Sequence, residues 1–212
     1  LAPTTLAIVG VPKPPKMQGR IFLGDRTEPD QQYVFGYRDR CDMTVMRIRA
    51  VRDARYRYIR NFTPWVPFLA FNLYKETQYP VWSLLPKLHA EGKLTPAQAV
   101  LCQPTQPEEE LFDLASDPHE INNLAKSPQP AHQAALKKLR GVLEQWIIDT
   151  NDQGRRMETL AELKSAEPRF WPARDWRPQP GTQEAEEAAA IRVAMKDTPP
   201  PEPAPKKGKK KK

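Results

Sequence analysis

Apolar and polar residues follow two rhythms along this chain. From Val45 to Phe62 the period is two. Met46, Ile48 and Ala50 alternate with Arg47 and Arg49; beyond Arg52-Asp53-Ala54-Arg55, the residues Tyr56, Tyr58 and Arg60 alternate with Arg57 and Ile59. Successive strand side chains point to opposite faces, so this pattern predicts a hairpin with one core face and one face toward solvent or a partner. Asp53-Ala54 is a weaker turn than Asp-Gly, because Ala tolerates positive φ poorly. From Ala131 to Thr150 the period lengthens to that of a helix. Leu136, Leu139, Leu143, Trp146 and Ile147 form an apolar stripe, and Lys137, Lys138, Arg140 and Glu144 lie largely off it.

Shorter signals fill the rest. Leu1 to Gly10 reads as the end of an apolar helix closed by Gly10, and Val11-Pro12-Lys13-Pro14-Pro15 cannot continue it. Gln32 to Tyr37 and Glu109 to Leu114 are strands by composition. Thr63 to Leu88 is aromatic and proline-rich without a clean period. It reads as an ordered excursion held down by Trp65, Phe68, Phe71, Tyr74 and Trp82. Thr95-Pro96-Ala97-Gln98 begins a short helix running to about Cys102. Asp117-Pro118-His119-Glu120 is turn chemistry. Strands and helix each need a partner to bury against. The fold class is therefore α+β, a small antiparallel sheet packed by a C-terminal helix.

Composition marks where the core stops. Hydrophobic residues make up 39% of the 212, below the usual share of about 45–50%, and the deficit falls mainly beyond Asn151. There Trp171 and Trp176 are candidates to lie against the body, and Glu184 to Met195 is a candidate helix. The Pro/Lys stretch 197–212 is expected to be disordered. That tail also carries +4 of the net charge of +7, so the high pI is weak support for a nucleic-acid surface on the fold. Cys41 and Cys102 are too few for a disulfide framework, though one bond is possible. No apolar run approaches the roughly 18–20 residues of a membrane span. The chain opens on Leu1 inside an apolar segment, as though cut from something longer, so its targeting is not legible.

Three segments in order carry a family resemblance. Leu1-Ala2-Pro3-Thr4-Thr5-Leu6-Ala7-Ile8-Val9-Gly10-Val11-Pro12 resembles the D-L-x-P-T-L-L-x-x-x-G-x-P segment near the end of the large sulfatase domain. Ile48-Arg49-Ala50-Val51-Arg52-Asp53-Ala54-Arg55-Tyr56-Arg57-Tyr58-Ile59 resembles the R-x-V-R-x-x-R-Y-K-Y-I hairpin of the sulfatase C-terminal subdomain. Glu110-Leu111-Phe112-Asp113-Leu114-Ala115-Ser116-Asp117-Pro118-His119-Glu120-Ile121-Asn122-Asn123-Leu124 resembles E-L-Y-D-L-x-x-D-P-x-E-x-x-N-L. The last is the most specific, and the resemblance covers about Leu1 to Gly154. Within the family, the chain is most similar to bacterial sulfatases related to heparan N-sulfatase (sulfamidase).

The resemblance implies the C-terminal subdomain of an α/β alkaline-phosphatase-like hydrolase that cleaves sulfate esters or sulfamates, here of sulfated glycans. It divides the chain into 1–40, the end of the large domain; 41–154, the C-terminal subdomain; 155–196, a partly ordered extension; and 197–212, the tail. It implies a formylglycine nucleophile made in a C/S-x-P-S-R motif and a calcium ion held by Asp and Asn, both in the large domain. No cofactor and no catalytic residue is therefore expected in this chain, and the chain alone is expected to be inactive. The implied partners are the large domain in cis and a sulfated glycan, with no membrane; the implied compartment is periplasmic or extracellular.

Cys102-Gln103-Pro104-Thr105-Gln106 begins like a formylglycine site but has Gln106 where Arg is required, so Cys102 reads as structural. Asp117, His119 and Glu120 lack the further ligands a zinc site needs, so no metal site is expected. Arg38-Asp39-Arg40, taken as following a strand, is the candidate substrate-binding segment. Guanidinium forks suit sulfate and carboxylate groups, and the resemblance places this segment toward the mouth of the active site. The competing reading is an interdomain ion-pair network. From Arg38 to Arg60 there are eight Arg and three Asp with Tyr56 and Tyr58 interleaved. That keeps a second reading open, a non-catalytic basic binding module for anionic glycans or nucleic acid, with nucleic acid the weaker.

Overall fold

The computed structural model describes residues 1–41, 44–157, 180–183 and 185–186. The candidate helix at Glu184–Met195, the tryptophans Trp171 and Trp176 and the tail 197–212 lie outside or almost outside them.

Four antiparallel strands form one sheet in the order β1-β2-β3-β4: β1 Val34–Cys41, β2 Thr44–Arg52, β3 Tyr56–Asn61 and β4 Glu109–Asp113. The sheet takes in residues from Val34, so a division after residue 40 falls inside β1. The β2–β3 turn is tied by Asp53, whose Oδ1 accepts from the backbone N–H of Arg55 at 2.9 Å and of Tyr56 at 2.7 Å. These bonds supply what the missing glycine does not. Burial raises the Asp53 carboxyl, but the Tyr56 amide and the Lys138 ammonium hold it below its ordinary value.

Register places whole rows of side chains side by side. Phe35, Val51, Tyr58 and Leu111 stand opposite one another across all four strands. Helix α5, Pro130–Asp149, covers this row with Leu136, Leu139, Leu143 and Ile147, and Trp146 stacks on Phe35 at 5.0 Å. The next row on the same face is polar: Tyr37, Arg49, Arg60 and Glu109.

The reading of one core face and one open face needs correction. Arg47 and Arg49 lie on the helix-covered face with Val51, and both are buried. Met46 and Ile48, on the other face, join Val66 and Ala70 in a second small core. The excursion that follows β3 supplies that second core. It also contains two helices its sequence does not advertise, α2 Leu73–Gln78 and α3 Pro80–Ala90. Pro80 sits at the start of α3, where its missing N–H costs nothing, but Pro86 inside the helix disguises the pattern. Of the five anchoring aromatics only Trp82 is buried; Phe68 and Tyr74 are exposed.

Two local signals are met as their residues suggest. Helix α1, Ala2–Ile8, ends with Gly10 at φ +78°, with Gly10 N–H on the Ala7 carbonyl and Val11 N–H on that of Leu6. Thr95 and Gln98 form a reciprocal capping box at α4, Pro96–Ala99. Among the described residues no helix is long and apolar enough to cross a membrane.

Candidate functional site

Arg38, Asp39 and Arg40 do not follow a strand; they lie inside β1, at a register shift between Arg38 and Arg40. Such an irregularity bends a strand and re-aims its side chains. Asp39 accepts from Arg47 Nη1 at 3.1 Å and pairs with Arg49 Nη2 at 2.9 Å. The Arg38 carbonyl accepts from Arg49 Nη1 at 3.1 Å. The Arg38 guanidinium has no ion pair among the described residues, and its Nε is buried without a hydrogen-bond partner. Arg40 is half-buried opposite Val45.

The group that organises this edge is Arg49, a charged member of the β2 alternation that is buried. Its side chain is 1% exposed and forms a fork on Asp152, Nε to Oδ1 at 2.9 Å and Nη2 to Oδ2 at 3.0 Å. Gly154 N–H donates to Asp152 Oδ1 at 2.9 Å, and the Gly154 backbone lies against the guanidinium plane. The Tyr37 ring lies within 5.6 Å of the same guanidinium. Burial opposes the charge of Arg49, yet bonds to Asp152 and Asp39 hold its pKa above the ordinary value. Burial likewise pushes Asp152 up, and the Arg49 fork with the Gly154 amide brings it below the ordinary carboxylate value. The only sequence signal for this clamp is Asp-x-Gly just after α5; nothing in it points to a partner far upstream.

Most of the remaining hairpin arginines are also spoken for. Arg55 forks onto Asp113 at 3.0 and 2.7 Å, Arg57 holds Glu120 at 2.8 Å, and Arg60 holds Glu108 at 2.6 Å. What looked like an open basic stripe is a set of ties from the β2–β3 turn and β3 to β4 and the residues on either side of it. Asp117 is occupied by the Asn122 amide at 2.7 Å. Glu120 adopts φ +55° as it meets Arg57. Gln106, in place of the required Arg, donates from its side-chain amide to the Val66 carbonyl and from its backbone N–H to the Pro64 carbonyl, each at 2.7 Å. Among the described residues, no group of three or more His, Cys, Asp or Glu is placed to hold a metal. These residues do not fit the calcium or the formylglycine of a sulfatase centre.

No family model matches the chain. Two curated proteins do match, both ulvan-active sulfatases of Formosa agariphila. One is 39% identical over 158 residues, 74% of this chain and 26% of its own length. The other is 31% identical over 157 residues, 71% of this chain and 28% of its own length. The chain is homologous to sulfatases. It spans about a quarter of the length of these relatives. Among solved structures, a protein described as a sulfatase from Bacteroides thetaiotaomicron aligns at TM-score 0.47 and 22% identity, covering 80% of this chain and 27% of that one. A 2-O GAG sulfatase aligns at TM-score 0.46 and 20% identity over the same shares.

Proposed function

We propose that this sulfatase homologue is the C-terminal portion of an enzyme that hydrolyses sulfate esters or sulfamates of a sulfated glycan, with ulvan as the first substrate to try. The observation that carries the reading is the 39% identity to an ulvan-active sulfatase, over 158 residues. In this reading the large domain, in cis, brings the nucleophile and the calcium. The present chain completes the fold and lends its β1 edge to the wall of the substrate cleft.

At that edge, Arg47, Asp39, Arg49 and Asp152 neutralise one another and fix the backbone. Arg38, which no described carboxylate pairs, is the side chain left to meet an anionic sugar. Guanidinium donors grip a sulfate or carboxylate through paired N–H groups without a proton to lose at working pH. The test is sulfate release by the longer protein containing this chain, on ulvan and on a small aryl sulfate. Release from either, dependent on the upstream domain, is expected. Binding of the polysaccharide with no release from any sulfated compound would overturn the enzymatic reading in favour of a basic binding module.

A further inference from the structure

A groove of about 420 Å³ opens on the helix-covered face, at the polar row and away from the Arg38 side chain. Its floor is Phe62, just past β3. Arg60 lies over the Phe62 ring at 5.7 Å and Arg155 at 5.9 Å. Two half-exposed guanidinium forks therefore share one aromatic ring. The far wall is Glu109 on β4 with Arg140 and Glu144 on α5.

The wall is rigid and the forks are not used up. Glu109 receives Arg140 through two bonds of 2.8 Å and the Tyr58 hydroxyl at 2.5 Å. Burial and the neighbouring Glu109 push the Tyr58 phenol up to about 12, so it stays a donor. Arg60 spends one hydrogen bond, on Glu108, and Arg155 spends one, on Glu144. Arg60 also stands 3.7 Å from Glu109, but a guanidinium has five N–H donors, so each of the two groove-lining arginines keeps donors to spare. The lining holds three guanidiniums against two carboxylates, an excess of one positive charge.

An apolar ring face beneath two cationic forks, with fixed carboxylate acceptors opposite, matches one chemistry well. A sugar ring lays its C–H face on the aromatic ring. Its sulfate or carboxylate meets the forks, and its hydroxyls donate to the glutamates. We propose that this groove binds one acidic sugar unit of a glycan chain, separately from the edge at Arg38. The inference rests on the sulfated-glycan reading and extends it to a second contact.

The test is calorimetric titration of the full chain with three probes. They are a sulfated disaccharide containing a uronate, the same disaccharide desulfated with its uronate reduced, and sodium sulfate. The acidic disaccharide should bind, and the neutral one and sodium sulfate should bind at least about tenfold more weakly. Arg155→Gln, Arg60→Gln and Phe62→Leu should each weaken the acidic disaccharide by about tenfold. Arg155→Gln removes an exposed ion pair and the more distant of the two ring contacts, so its melting temperature should stay close to the parent's. Arg52→Gln, exposed on the opposite face, should change nothing. The Lys-rich tail is the same in every variant and cannot produce a difference between them. Equal binding by parent and Arg155→Gln, or by sodium sulfate and the disaccharide, overturns the sugar site. So does an equally tight glutamate peptide, which would mark a general acidic-partner surface. Each of those failures leaves sulfate release by the longer protein intact, whereas loss of that release strikes the enzymatic reading.

Discussion

At the scale of single residues, the most consequential is Asp152. Arg49 and Arg60 are directly opposite on β2 and β3, and like charges so placed destabilise a sheet pair. Glu108 and Glu109 answer Arg60, and Asp152 with Asp39 answers Arg49. Removing one partner of a buried pair strands the other charge, at a cost of about 3–5 kcal/mol. Asp39 remains in Asp152→Asn, so the expected loss is at the lower end, about 3 kcal/mol, read by denaturant unfolding. Asp152 and Glu109 both sit below their ordinary values when folded. Their stabilisation is thus complete above the ordinary carboxylate range and is lost as pH falls through the depressed folded values, from about pH 4 downward. In Asp152→Asn the melting temperature should fall less steeply over that window. Gly154→Ala is the complementary test. A Cβ there would collide with the Arg49 guanidinium. That guanidinium is pinned on several sides and cannot step back, so a loss of about 1–3 kcal/mol is expected, as for overpacking elsewhere.

At the scale of elements, α5 holds the larger core in place. Leu139 is fully buried at its centre, while Trp146 is half-buried at the rim against Phe35. Leu139→Ala should cost about 2–5 kcal/mol, and Trp146→Ala less; equal melting of Leu139→Ala and parent would mean that the helix does not pack on this sheet. This element, the hairpin and β4 were legible in the sequence because a period of 3.6 or 2 survives along each of them. Helices α2 and α3 were not. They are short, α3 contains Pro86, and α2 is capped by the Asn72 side chain on Lys75 N–H at 3.0 Å. Nor was the burial of Arg47 and Arg49 legible. Alternation tells which residues share a face but not which face is covered, and an arginine is ordinarily assigned to solvent. Asp39 lies near Arg49 along the chain, but Asp152 lies 103 positions away, so no local window contains the whole clamp.

At the scale of the whole molecule, the chain by itself should release no sulfate from an aryl sulfate, the expectation that goes with a sequence holding no C/S-x-P-S-R motif. If the chain is part of the longer enzyme proposed above, Arg38→Ala in that enzyme should weaken a sulfated sugar by about 1.5–3 kcal/mol while largely sparing the aryl sulfate. Arg40→Ala tests the other flank of the register shift in the same assay. Equal losses on both substrates with a lower melting temperature would instead make the β1 edge a brace between domains. The Arg49–Asp152 fork also bears on how such a molecule is born. Its partners are separated by 103 positions, so β2 and the first acid that answers it, Asp39, leave the ribosome long before the second. Until then, the nascent hairpin carries two facing arginines with too few acids and has reason to stay open. Closing so long a loop is entropically slow, and it comes after α5 has been made. The last residues of the clamp thus act as a latch on a sheet that cannot settle early. A chain ending at Thr150 should keep its helix, and in hydrogen exchange lose protection first at the β1–β2 edge.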